Sequence, residues 1–145
     1  MKQDIIKKAI ENHLVIKVRC SNRRNTASLV EMISKWDFEN LYIASPSIPR
    51  YPIHSFVYFE LAETEDLLLL LRKIKFTTPR GSALLILEAI ELLTGENGLN
   101  REIQQLIREL SNKGLLSLLW LCFDGDKETE SELFDLAIPS VDILG

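Results

Sequence analysis

Two adjacent arginines, Arg23 and Arg24, lie in "VRCSNRRNTASLVEM" (residues 18–32), where an apolar run gives way to a helical pattern. A helix capped by Asn25 or Thr26 would turn free backbone N–H groups and the positive end of its dipole toward the same turn. Guanidinium groups add bidentate hydrogen bonding to phosphate or carboxylate. Ser21, Arg23 and Arg24 are therefore the first candidates for an anion site. Lys17, Arg19 and Arg50 are further cations available if the anion is a nucleic-acid backbone. The bland alternative is a solvated loop before a helix. A weaker version recurs in "TTPRGSALL", where Arg80, Gly81 and Ser82 precede a second apolar run without the lysine of a P-loop.

Other chemistry has less support. In "DGDKETESELFD" (124–135) the acids Asp124, Asp126 and Glu128 alternate, but a calcium loop needs glycine at its sixth position and glutamate at its twelfth. Those positions hold Thr129 and Asp135, so no metal is assigned. The two histidines, His13 and His54, do not make a zinc signature, and no GxSxG, HExxH, GxGxxG or CxxC occurs. Cys20 and Cys122 both sit inside apolar runs. That placement suits small core residues in a reducing compartment better than nucleophiles or a disulfide. These observations favour a protein without catalytic residues or a cofactor.

The elements that would position such sites follow from periodicity. Ile5, Ile6, Ala9 and Ile10 make one stripe of a short N-terminal helix. "LVIKVRC" (14–20) alternates, with Ile16, Val18 and Cys20 facing one way and Lys17 and Arg19 the other. A helix carrying Leu29, Val30, Ile33 and Trp36 follows, then a strand at 40–44, a proline-bearing loop "SPSIPRYP", and an aromatic strand "HSFVYFEL" (54–61). Thr64 caps "EDLLLLLRKI", and "KFTT" (75–78) reads as a closing strand. Strand–helix–strand–strand–helix–strand is the order of a split βαβ unit. The expected fold class is thus α+β, with a ferredoxin-like antiparallel sheet over residues 14–78. Phe56 and Tyr58 share one face of the aromatic strand. They read as core residues under additional helices rather than as a base-stacking platform.

Beyond residue 78 the pattern turns helical. "ALLILEAIELL" after Ser82 is expected as an almost wholly apolar helix ending at Gly95, and Leu84, Leu85, Leu87 and Ile90 on it are the candidates for a partner interface. Asn100 caps "REIQQLIRELSN". "LLSLLWLCF" (115–123) reads as a buried strand, with a helix as the alternative because leucine dominates it; a helix over roughly 129–137 follows, and "SVDIL" (140–144) reads as a last edge strand. The run from "LVIKVRCSNRR" to "HSFVYFELAETEDLLLLLRKI" resembles, in its order of elements, the N-terminal domain of NusG-type transcription elongation factors. The likeness covers half of the chain, and Ser55 stands where that family has glycine. No functional residue is carried across.

At 145 residues the chain is expected to be one domain over 1–145, with a split-βαβ core at 14–78 and a helical extension over 79–145 that adds one or two further strands. Its net charge of −4 is divided unevenly. Residues 1–80 hold 13 Lys and Arg against 9 Asp and Glu, whereas residues 81–145 hold 4 against 12. The halves either serve different partners or attract one another. The N-terminus lacks a signal-peptide core, and the longest uncharged apolar run is half of what a bilayer needs. The combined expectation is a cytoplasmic, non-enzymatic protein that binds a protein partner or itself. The alternatives are a nucleic-acid module acting through the arginine turn and a small-ligand sensor.

Overall fold

A computed structural model describes residues 2–20, 23–36, 38, 40–46, 56–77, 82–94, 98–123 and 140–143. In chain order the elements are α1 (Lys2–Glu11), β1 (Val15–Cys20), α2 (Arg23–Ser34), β2 (Leu41–Ser45), β3 (Phe56–Glu60), α3 (Thr64–Thr77), β4 (Ala83–Glu88), the single turn α4 (Glu91–Thr94), α5 (Arg101–Asn112), β5 (Leu116–Phe123) and β6 (Ser140–Ile143).

Every residue of β4 is buried, and so are Leu116 to Cys122 of β5. Strands without a polar face must be covered on both sides, which is the condition of a parallel sheet flanked by helices. The six strands do form one sheet, in the order β3-β2-β4-β5-β1-β6, and every neighbouring pair is parallel. Val18 of β1 sits opposite Leu121 of β5 and Val141 of β6, and Ile43 of β2 opposite Ile86 of β4.

The two faces carry separate cores. On one, α1 and α2 bring Ile6, Ile10, Val30 and Ile33 onto Val18, Ile43, Ile86 and Leu119. On the other, α3 and α5 bring Leu67, Leu71, Ile103 and Ile107 onto Leu85, Leu87, Leu118 and Trp120. The sides follow from handedness. The chain moves one way across the sheet from β1 to β2, and the opposite way from β3 to β4 and from β4 to β5. Right-handed crossovers in opposite directions must place their helices on opposite faces. Local bonds fix the ends. Asp66 Oδ2 accepts from the Ala62 and Glu63 N–H groups before α3 at 2.8 and 3.0 Å, and Asn100 Oδ1 accepts from the Ile103 N–H at 2.9 Å to cap α5.

This architecture overturns the ferredoxin-like expectation. The sheet is parallel throughout, β1 and β2 are separated by β5 and β4, and three strands after residue 78 join the same sheet. The likeness to NusG-type domains therefore stops at the order of elements. The closing strand expected at 75–78 is replaced by the last turn of α3, which runs to Thr77. The apolar helix expected from residue 83 is strand β4 at the centre of the sheet. An unbroken apolar run carries neither the strand period nor the helix period, so leucine content misled where burial on both faces decides. Leu84, Leu85, Leu87 and Ile90, expected to face a partner, are 0–2 % exposed and belong to the chain's own two cores. The expected helix at 129–137 lies outside the described residues.

Candidate functional site at the carboxyl ends of the strands

In an open parallel sheet, ligands bind beyond the carboxyl ends of the strands, where the connections from neighbouring strands diverge. Here the chain leaves β1 toward β2 under α2, whereas from the adjacent β5 it continues to β6 on the far side of β1. One reversal therefore falls between β5 and β1, and the adjacent β2 and β4 also lead off in opposite directions. The turn that leaves β1 there is the arginine turn read from the sequence.

Helix α2 starts at Arg23, three or four residues earlier than a cap at Asn25 or Thr26 implies, so Arg23 and Arg24 occupy its first turn. That turn contains no acid, whereas α3 opens with Glu65 and Asp66 and α5 with Glu102. The positive end of the α2 dipole is thus not offset from within its own helix. Four buried polar residues lie toward the carboxyl ends of the strands and on α2. Cys20 ends β1, Thr26 is in the second turn of α2, Ser45 ends β2 and Glu88 ends β4. Alternation along β2 and β4 puts Ser45 and Glu88 on the face covered by α1 and α2, together with Cys20. Burial pushes the Cys20 thiol above its ordinary value. A hydrogen bond with Thr26 opposes that shift, and the nearby Glu88 charge reinforces it. Immediately after Glu88, Ala89 adopts a left-handed φ of 55°, a strained conformation for a residue with a Cβ.

The remaining basic candidates lie elsewhere. Lys17 and Arg19 share the opposite face of β1, the one that carries Trp120 and Cys122 in register. Lys17 is buried, with its ammonium 4.9 Å from the centroid of the Trp120 ring. Arg19 is half-buried. Ser21 and Arg50 lie outside the described residues, as do His54, Arg80 and the acids at 124–128. On β3, Phe56 is buried and Tyr58 half-buried against the α1–α2 core, while Phe59 packs on Tyr42 with the Lys73 ammonium 5.2 Å away.

A second feature was not read from the sequence. A groove of about 300 Å³ runs between α3 and α5, lined by Leu68, Phe76 and Leu106 among charged residues. Arg72 Nη2 donates to Glu102 Oε1 at 2.9 Å across it, and Lys75 Nζ to Glu109 Oε1 at 3.2 Å. These pairs join the basic first half of the chain to its acidic second half. Lys113 also donates to Glu109, and the two ammonium groups hold that carboxyl below the usual carboxylate range. Phe76 stands 78 % exposed at the rim and Leu69 61 % exposed on the same helix. Their signal was present: five consecutive leucines, Leu67–Leu71, encircle a helix, so one of them must face outward.

Together these features define a doubly wound parallel α/β domain, with the arginine turn at one of its connection reversals. The chain matches no family model, and no curated protein matches it. Among the described residues no helix is long and apolar enough to cross a membrane.

Proposed function

We propose that the protein is a non-enzymatic binding domain that takes a small anionic ligand, through a phosphate or carboxylate group, at the carboxyl ends of β1 and β5. The coincidence of the β1–α2 turn with a reversal of sheet connectivity carries this reading. A residue pattern that suits an anion falls at one of the places where neighbouring strands send their connections in opposite directions. Arg23 and Arg24 supply charge, and the N–H groups of the first turn of α2 supply donors.

Two observations favour binding over catalysis. The one thiol at the site is buried and held protonated, so it is no nucleophile at neutral pH. The described histidine, His13, lies at the opposite, amino-terminal end of β1. An extended nucleic-acid backbone is the less favoured ligand. Lys17 is stacked over Trp120 in the interior and Lys73 covers Phe59, so neither a basic row nor an aromatic row lies open.

Thermal unfolding against inorganic phosphate, nucleoside mono- and triphosphates and dicarboxylates tests this. A ligand at a hundred times its Kd stabilises by about 2.7 kcal/mol, which raises Tm by roughly 5–10 °C in a chain of this size. The double variant Arg23→Ala, Arg24→Ala should keep its own Tm and lose the ligand-induced rise. Absence of a rise with every one of these anions, or a rise that survives in the variant, rejects the reading.

A further inference from the structure

Helices α1 and α5 end side by side and in the same way. At the end of α5 the Gly114 N–H donates to the Ser111 carbonyl at 3.0 Å and the Leu115 N–H to the Leu110 carbonyl at 2.9 Å. At the end of α1 the His13 N–H donates to the Ile10 carbonyl at 3.1 Å and the Leu14 N–H to the Ala9 carbonyl at 3.0 Å. This pair of bonds needs a left-handed residue just past the helix, the position that glycine usually fills. Gly114 fills it after α5 with a φ of +72°, but after α1 the residue is His13, at a φ of 57°. The histidine ring lies against the other junction, its Cδ2 3.4 Å from where a Cβ on Gly114 would stand. Its Nδ1 is buried and has no hydrogen-bond partner among the described residues.

Both features weigh on the docked form of α1 alone. A residue with a Cβ is strained in the left-handed region, and a buried ring nitrogen without a partner has given up its hydrogen bond to water. Swinging α1 away from the sheet returns His13 to an ordinary φ and wets Nδ1. The groups that hold α1 down act elsewhere along the helix. Ile6, Ala9 and Ile10 lie in the core shared with α2, and the Ser117 hydroxyl donates to the Ile10 carbonyl.

We propose that the α1–β1 junction is a release point, at which α1 leaves the sheet as a unit while the six strands and α2, α3 and α5 keep their places, and that His13 sets how often it opens. Strain of this kind persists only where the surrounding structure enforces it, and it gathers at segments that switch. Release uncovers Ser117 and Leu119 of β5, both buried when α1 is docked, and frees a helix whose apolar stripe is Ile6, Ala9 and Ile10. This inference is independent of the anion site, which opens at the carboxyl ends of the strands.

Native-state hydrogen exchange read by mass spectrometry across a urea series tests it. Amides of α1 should exchange through an opening that depends on urea more weakly than the global unfolding that exposes β4 and β5. His13→Gly keeps the junction bonds and removes the strain, so it should slow exchange in α1 roughly threefold to tenfold. His13→Pro forbids the left-handed conformation and should strip α1 of protection while β4 and β5 keep theirs. Amides of α1 that open only with the urea dependence of β4 and β5 overturn the proposal. So does a His13→Gly variant whose α1 exchanges as fast as wild type, or a His13→Pro variant in which the sheet loses protection together with α1.

Discussion

Lys17 and Trp120 face one another in register across β1 and β5, and the Lys17 ammonium lies 4.9 Å from the centre of the indole ring. Sequence alternation puts Lys17 on the side of β1 away from Val18, but not at a wet surface. Its stem crosses the sheet beside a tryptophan that is only 2 % exposed, and the charge is held over the ring face. Trp120 fills the core under α5 and supports this cation as well. Trp120→Ala should therefore lower unfolding free energy by about 3–5 kcal/mol, the range for emptying a large aromatic site. Urea denaturation followed by circular dichroism measures it. A loss below 1 kcal/mol, the ordinary cost of a mild substitution, would mean that the indole is not packed as described.

The thiol beneath the arginine turn gives a pH signature. The pKa of Cys20 is raised above 9.0 by burial, with Thr26 lowering it and Glu88 raising it in turn. In the folded chain the proton is held more tightly than in the unfolded chain. The resulting stability is complete below the unfolded pKa and is lost as pH rises through the folded one. Stability should thus fall on the alkaline side of pH 9, and Cys20→Ala should flatten that fall. Glu88→Gln removes the neighbouring charge and should bring the thiol pKa part of the way down. Measured by thiol alkylation against pH, Cys20 in the native protein should react far more slowly than in urea.

Local signals in the sequence were sufficient for most elements. The stripe of α1, the alternation of β1, the Asn100 cap and the aromatic strand each depend on residues within a few positions, and each was legible. Pairing was not. Whether β1 lies beside β2 or beside β5 depends on residues a hundred positions apart, and no local period records it. The available clue was composition: "ALLILE" and "LSLLWLCF" lack a polar face, a condition met in the middle of a parallel sheet. The arginine turn was legible as a residue set, but its significance depends on a connection reversal that only the strand order supplies. Glu88 had a faint signal, being the first charge after a run of apolar residues and hence a mark of where the strand ends.

Substitutions in the run after Ser82 separate a central strand from an apolar surface helix. Leu85 and Leu87 are completely buried on β4, whereas Leu92 on the short α4 is 77 % exposed. Leu85→Ala and Leu87→Ala should each cost about 2–5 kcal/mol, while Leu92→Ala should stay within about 0.5 kcal/mol of wild type. A helix with one face outward would place residues 85 and 92, seven apart, on the same side and give them similar costs. Equal effects at 85 and 92 would contradict strand β4.

The N-terminal helix is tied to the sheet by two serine hydroxyls. Ser117 Oγ, buried on β5, donates to the Ile10 carbonyl at 2.6 Å, and the Ser111 hydroxyl at the end of α5 donates to the His13 carbonyl. The Ile10 carbonyl also accepts from the His13 N–H at 3.1 Å, so the serine bonds add to the backbone bonds that close the end of α1 and dock it on β5 and α5. Gly114 completes the junction. Its φ is +72°, and an added Cβ would stand 3.4 Å from His13 Cδ2, so a side chain there meets both backbone strain and a ring. Ser117→Ala removes one of two donors to the Ile10 carbonyl, which keeps the His13 N–H at 3.1 Å, and should cost about 0.5–1.5 kcal/mol. Gly114→Ala should cost about 1–2 kcal/mol through the left-handed conformation. The two losses should appear in the same region of an amide-exchange map, as faster exchange through α1 and the start of β1, with α3 and β4 unaffected. Exchange that instead rises uniformly across the sheet would show that α1 opens only with the whole molecule, and that these bonds do not define a separable docking step.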